Sequence, residues 1–243
     1  MKVVKPDYNS DKSKKQQVEE MFDNVAARYD FLNRFLSLRI DTIWRKKAIA
    51  HLKSLNPNII LDVATGTADL ALEINKQLHP SKIVGLDLSE QMLAVGRVKV
   101  ENAKLSGKIT LVKGDSENLT FTDNYFDAVT VSFGVRNFEN LDKGLSEINR
   151  VLKIGGKLVV LEFSNPKSFP FKQIFGFYFQ FVLPTISRLV NKNSGNAYKY
   201  LPESVKYFPE GQEFAKHLQN CGFSNIIVQP LTFGTCTIYV AQK

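Results

Sequence analysis

The chain has 243 residues, 44% of them apolar and 23% charged, and 32 lysines and arginines against 24 acids leave a net charge of +8. This fits one globular domain, or one with an insertion, and the positive excess admits either an anionic partner (nucleic acid or an acidic membrane surface) or a plain solvated surface. Two distant cysteines, Cys221 and Cys236, exclude a disulfide framework and read as reduced cytosolic thiols, and three scattered histidines (His51, His79, His217) exclude a zinc cluster.

Residues 1–15 are polar and lysine-rich with no apolar run behind them, which reads as a mobile tail and not as a signal peptide. Residues 16–243 read as a single domain. Gln16 to Tyr29 put Val18, Met21, Phe22, Val25 and Tyr29 on one helical stripe. Tyr29 to Ser37 then mixes aromatic and polar residues without a clean period. Two readings stand there: a cap of helix and loop over the core, or a lid over a pocket, since Tyr29, Asn33 and Arg34 are more polar than packing requires. Asp41 reads as an N-cap, and Trp44, Ala48, Leu52 and Leu55 as the buried face of the next helix, so that 16–55 form N-terminal lid helices. Asn56-Pro57-Asn58 turns into the first strand.

Ile59 to Val63 is a short apolar run, as in a parallel strand covered on both faces. The turn after it, Ala64-Thr65-Gly66-Thr67-Ala68, holds one glycine and no phosphate-loop Lys-Ser or Lys-Thr pair, and a helix is expected over Thr67 to Leu78. Taken alone, this turn is either a small-molecule site or a plain strand–helix connection. Lys82 to Asp87 is a second strand ending in an acid, about 25 residues beyond Asp62, where a doubly wound fold places a carboxylate for ribose hydroxyls. Ser89 takes the helix-cap role and leaves Asp87 freer to bind. Ile109 to Val112 is the third strand and runs into Lys113-Gly114-Asp115-Ser116; Phe126 to Phe133 is the fourth. Leu141, Leu145, Ile148 and Leu152 make a helix stripe that Gly155-Gly156 should stop before a fifth strand, Lys157 to Phe163.

An aromatic-rich insertion, about 164–209, follows, with Phe169, Phe171, Phe175, Phe177, Tyr178, Phe179 and Phe181. It is interrupted by Lys172, Gln180 and Pro184 and is too short to span a bilayer. It packs over the core, or walls a greasy substrate and dips into a membrane beside Arg188 and Lys192, or does both. Phe214, Leu218 and Cys221 mark a last helix ending at Gly222, and Asn225 to Val228 and Thr235 to Ala241 must pair antiparallel across their short loop. Five strand–helix alternations closed by a hairpin predict an α/β fold: a mostly parallel seven-stranded Rossmann-like sheet with helices on both faces, as in class I S-adenosylmethionine (SAM)-dependent methyltransferases.

Several stretches resemble the ubiquinone/menaquinone-biosynthesis C-methyltransferases: Tyr29-Asp30-Phe31-Leu32-Asn33 with Leu36-Ser37 and Trp44, Phe133 to Phe138, Arg150 to Ser164, and Tyr200 to Ser204. The resemblance runs from about Gln16 to the end. It departs at Leu32, Asp41 and Ala68, where the family often has methionine, histidine and glycine, and the Ala68 methyl is expected near the methionine part of the cofactor. It implies a metal-free, SAM-dependent C-methylation of a prenylated quinol, demethylmenaquinol to menaquinol in preference to the benzoquinol of ubiquinone biosynthesis. The implied setting is the cytoplasm, peripheral at the inner face of the membrane.

Carried over by position, the cofactor residues are Thr67, Asp87, Asp115 with Ser116, and Ser132; Asp62 orients the turn or reaches the ammonium through water, and Gly66 lets the ligand approach the main chain. Arg136 after the fourth strand is placed to stabilise phenolate charge, with Asn137 and Tyr29 as hydrogen-bonding neighbours. Two rivals remain at this level. A nucleic-acid methyltransferase suits the charge, but Ser132-Phe133-Gly134-Val135 lacks the Pro-Pro-aromatic turn used on base amino groups, and no Pro-Cys nucleophile is present. A non-catalytic SAM-binding module is the other.

Overall fold

The computed structural model describes residues 4–37, 39–178 and 195–243. Its centre is a seven-stranded sheet in the order β3-β2-β1-β4-β5-β7-β6, built from β1 (Ile59–Val63), β2 (Lys82–Asp87), β3 (Ile109–Lys113), β4 (Phe126–Ser132), β5 (Leu152–Phe163), β6 (Ser224–Leu231) and β7 (Cys236–Gln242). β1 to β5 pair in parallel, and β7 inserts antiparallel between β5 and β6. The predicted sheet, parallel with a closing hairpin, is the one observed.

Period-two alternation sorts the strand residues between two cores. On one face Leu61, Val84, Val129, Leu158 and Tyr239 meet α5 (Leu141–Val151) and α8 (Gln212–Asn220). On the other, Ile60, Ile83, Ala128, Val159 and Val240 meet α2 (Ile40–Ala50), α3 (Asp69–Leu78) and α4 (Glu90–Asn102). β1 pairs with β2 on one side and β4 on the other, so the chain order reverses between β1 and β4, and ligands of open α/β sheets bind at the carboxyl end of such a switch.

Several boundaries differ from expectation for identifiable reasons. α1 is one 23-residue helix, Lys14–Leu36, which takes in most of the stretch expected as loop. Residues 4–13, read from sequence as a tail, lie against it: Val4 is buried on Val18 and Tyr200, and the Tyr8 hydroxyl donates to Glu203 Oε1 at 2.9 Å. Asp41 is not a cap; it sits inside α2, where its carboxylate accepts from Ser37 Oγ at 2.6 Å and pairs with Arg45 at 2.6 Å. α2 ends at Ala50, and Leu52 packs into the core from the tight turn that follows. α3 begins at Asp69, because Ala68 holds a left-handed φ of 65° that no helix accommodates. Gly155 and Gly156 do not stop α5; they lie within β5, which starts at Leu152, next to a register shift against β4. The insertion supplies α6 (Phe171–Phe177) and α7 (Gly195–Tyr207). Phe179, Gln180, Phe181, Pro184, Arg188 and Lys192 lie outside the described residues.

Candidate active site

Two cavities meet over the carboxyl ends of the strands. The first is a groove lined by Ala64, Gly66, Asp87, Met92, Ser116, Ser132 and Asn137, closed from outside by Lys15, Val18, Glu19 and Phe22 of α1. Its floor is the turn after β1, where Ala64, Gly66 and Ala68 take positive φ of 54°, 56° and 65°. Such backbone suits glycine, and each alanine there costs about 1 kcal/mol. The Ala68 methyl faces the core, not the groove: Ala68 is fully buried, and a Cβ built on Gly96 of α4 would lie 3.3 Å from it. That corrects its expected place beside the cofactor.

Asp62 braces this turn from below. Its carboxylate accepts from Thr65 Oγ1 at 2.6 Å and Thr130 Oγ1 at 2.7 Å and does not line the groove. Burial pushes its carboxyl up to about 6 in spite of those two donors. Asp87 lines the groove, accepting from the Gly66 N–H at 2.8 Å and the Ser89 N–H at 2.9 Å, with the Leu88 N–H also directed at it, which leaves some acceptor capacity for a ligand. Burial raises this carboxyl as well. Ser89 Oγ caps α4, as expected, by accepting from the Met92 N–H at 3.1 Å.

Gly66, Asp87, Ser116 and Ser132 therefore share one groove, whereas Thr67 and Asp115 stand apart from its lining. Thr67 is buried and donates to Asp30 Oδ1 of α1 at 2.5 Å. Asp115 is on the rim, paired with Lys15 at 2.6 Å. Val18 and Phe22, on the helical stripe read from sequence at the start of the lid helices, form the groove's outer wall.

The second cavity, of about 480 Å³, is walled by Val25, Trp44, Phe163, Phe171, Phe175 and Tyr178 among others. Part of the aromatic insertion thus lines a cavity, and Phe171 stacks on Phe233 at 3.6 Å between ring centroids. The cavity's polar lining includes Tyr29, Asn33, Arg136 and the Asp41–Arg45 pair. Arg136 Nη1 donates to Glu162 Oε1 at 2.7 Å and to the Phe133 carbonyl at 2.5 Å, while its Nε is buried with no hydrogen-bond partner among the described residues. Burial raises the Glu162 carboxyl, and the adjacent guanidinium opposes that. The Tyr29 hydroxyl, hydrogen-bonded to Asn33, is raised by burial and held back by Arg136 and Arg45. Asn137 accepts from the Tyr200 hydroxyl at 3.1 Å, a bond that joins a residue of the groove to one of the cavity.

Phe22, Tyr29 and Phe133 line both spaces and form the partition between them. Phe133 holds a positive φ of 57°, a strain of about 1–3 kcal/mol of the kind that collects at functional sites. Ser132 just before it has a buried Oγ with no hydrogen-bond partner among the described residues. An unpaired buried hydroxyl costs about 1–3 kcal/mol, so it is a natural contact for a polar ligand in the groove. Val18, Glu19 and Phe22 of α1 narrow the groove to about 70 Å³. Among the described residues, no group of three or more histidines, cysteines or acids is placed to hold a metal ion, and no helix is long and apolar enough to cross a membrane.

This sheet order, with an acid at the tip of β2 facing the turn after β1, defines a class I SAM-dependent methyltransferase. Solved structures of SAM-dependent methyltransferases from Thermotoga maritima (TM-score 0.62, 19% identity, 92% of this chain and 99% of that one) and Aquifex aeolicus (0.54, 19%, 75% and 80%) share the fold. The profile of the ubiE/COQ5 methyltransferase family matches residues 10–243, and the chain belongs to that family. It is 50% identical over 240 residues to the demethylmenaquinone methyltransferase of Bacteroides fragilis, covering 99% of this chain and 97% of that protein. It is 46% identical over 231 residues to the ubiquinone/menaquinone biosynthesis C-methyltransferase UbiE of Geobacter sulfurreducens, covering 95% and 90%.

Proposed function

We propose that this protein methylates a ring carbon of demethylmenaquinol, the reduced naphthoquinol, to give menaquinol. The observation that carries the reading is the pair of cavities sharing Phe22, Tyr29 and Phe133 as their partition, one at the strand tips with Asp87, Ser116 and Ser132 in its lining and one largely apolar with Arg136 in its wall. The 50% identity to a demethylmenaquinone methyltransferase supports the naphthoquinol over the benzoquinol.

SAM, when bound, supplies an electrophilic methyl group on sulfur. Asp87 would accept from ribose hydroxyls, Ser116 with Asp115 at the rim would hold the adenine, and Gly66 and Ser132 would hold the methionine part; Thr67 and Asp62 would act behind them by fixing α1 and the turn. On the other side of the partition the ring must be a quinol, because a quinone is electrophilic and does not attack. Loss of a hydroxyl proton to water would push electron density onto the adjacent ring carbon, with Arg136 stabilising the oxyanion; that carbon would take the methyl as the sulfur–methyl bond breaks and S-adenosylhomocysteine leaves, and loss of the carbon's own proton to water would restore the aromatic ring. Tyr29 holds the ring oxygen or a water beside it, Asn137 on the groove side orients the Tyr200 hydroxyl that lines the cavity, and the apolar walls keep the carbon in line with the methyl.

The prenyl tail leaves past α6, where Phe169 (81% exposed), Ile174 (59%) and Phe233 (64%) stand beside Lys167 and Lys172. This reads as a peripheral contact with the inner face of an anionic membrane, which also accounts for part of the positive charge. The test is turnover under strict redox control. Methylation of demethylmenaquinol and none of the quinone is expected; equal rates on both sink the chemistry, and preference for a benzoquinol moves the substrate to ubiquinone biosynthesis. In cells lacking the protein, a naphthoquinone pool one methylene light in its head group is expected.

A further inference from the structure

Lys14 is the first residue of α1 and is 2% exposed. A buried ammonium is costly unless it is paired and hydrogen-bonded. Its partners all lie on one short loop: Nζ donates to the carbonyls of Arg136 at 3.0 Å and Phe138 at 2.7 Å, and the backbone N–H donates to Glu139 Oε1 at 2.9 Å. A single residue thus holds three of the four residues from 136 to 139. Arg136 is gripped from both sides, since its own N–H points to Glu162 at 3.4 Å.

We propose that Lys14 is a positioning residue: it clamps the start of α1 to the loop carrying Arg136 and Asn137, so that the helix over the cofactor groove and the quinol-side groups seat together. The inference rests on the reading of Arg136 as a quinol-side group and of Asn137 as the groove residue that orients Tyr200 of the cavity. Both ends of the link bear on the reaction. About two and four turns along the same helix, Phe22 and Tyr29 form part of the partition between the cavities. α1 also walls the groove through Val18 and Phe22, so the position of that wall is tied to the loop through this clamp.

The charged groups around Lys14 are Arg136 on the loop, Glu117 after β3, Glu139 on the loop, and the neighbouring Lys15–Asp115 pair. Burial first, and Arg136 second, lower the Lys14 ammonium to about 8, against the raising effect of Glu117 and Glu139. Part of the clamp's charge is therefore lost in mildly alkaline solution, while its hydrogen bonds weaken without vanishing.

The experiment is Lys14→Met in the full chain, similar in length but without donors, studied by amide exchange and steady-state kinetics. Exchange across 134–140 is expected to rise at least about tenfold, with β4 and β5 unchanged. At saturating substrates kcat is expected to fall at least about tenfold, with KM for the quinol within about threefold. The double variant Lys14→Met/Asn137→Ala is expected to lose no more than Asn137→Ala alone, because both changes disable one loop. Unchanged loop exchange, or losses that multiply in full, would overturn the proposal. Should Lys14→Met fail to fold, Lys14→Gln keeps one donor; loop exchange between wild type and tenfold supports the clamp, and wild-type exchange refutes it. Wild-type turnover of the quinol is measured alongside: its absence removes the substrate assignment and leaves the exchange result to judge the clamp alone.

Discussion

Arg136 and Glu162 form a buried ion pair: Nη1 and Oε1 are 2.7 Å apart, and the side chains are 8% and 0% exposed. The pair closes the polar corner of the apolar cavity. Removing one partner of a buried pair leaves the other charge stranded, at about 3–5 kcal/mol. Arg136→Ala is therefore expected to lower unfolding free energy by about that amount in urea titration, and to cut turnover at least about tenfold while SAM affinity, read by calorimetry, stays the same. Wild-type turnover in the folded variant would remove Arg136 from the chemistry.

Asp87 ties the turn after β1 to the start of α4 and still has acceptor capacity facing the groove. Asp87→Asn replaces one acceptor oxygen with a donor and removes the charge. Hydrogen bonds to a charged group contribute about 1.5–3 kcal/mol, so the SAM dissociation constant is expected to rise about 10- to 100-fold. An unchanged constant would place the ribose elsewhere.

Asp62 makes stability depend on pH. Its folded value of about 6 lies above the ordinary 3.8 because burial disfavours the charged form. Protonation therefore favours folding: the contribution is complete below about 3.8 and is lost as pH rises through about 6. The shift corresponds to roughly 3 kcal/mol. Asp62→Asn can bond both threonine hydroxyls and does not titrate. Unfolding free energies of wild type and variant, compared from pH 4 to 7, should diverge by about that amount in the variant's favour as pH rises; a constant difference would refute the shift.

Gly134 lies where the loop after β4 crosses the turn after β1. A Cβ there would sit 2.6 Å from the Ala64 Cβ and 3.1 Å from Val131 Cγ1. Gly134→Ala must push back a turn that lines the groove, at a cost of about 1–3 kcal/mol. Both the denaturation midpoint and SAM affinity are expected to fall, whereas Gly107→Ala, with nothing near its Cβ, should change neither.

The strands were legible because their apolar runs are short, evenly spaced and ended by acids or turn residues; Asp87 at the tip of β2 is the plainest case. Thr67 and Asp62 were less so. Their place behind the groove depends on Asp30 and Thr130, which lie far away in sequence and meet them only in the folded chain. Two glycines at 155–156 resembled a helix stop because composition does not distinguish a helix terminator from a kinked strand. Lys14 gave no signal at all. A lysine among lysines looks solvated, and only the fold reveals that its end is buried on two carbonyls.

Trp44 is the chain's sole tryptophan. It lies 6% exposed in the wall of the large cavity, its indole N–H bonded to Thr232 Oγ1 at 2.8 Å and its ring 6.3 Å from those of Phe133 and Phe163. Its emission thus comes from one place, and quinones quench excited indoles on contact. The protein carries a built-in optical probe of cavity filling, so binding of a non-reacting quinone can be followed by steady light loss, without label or turnover.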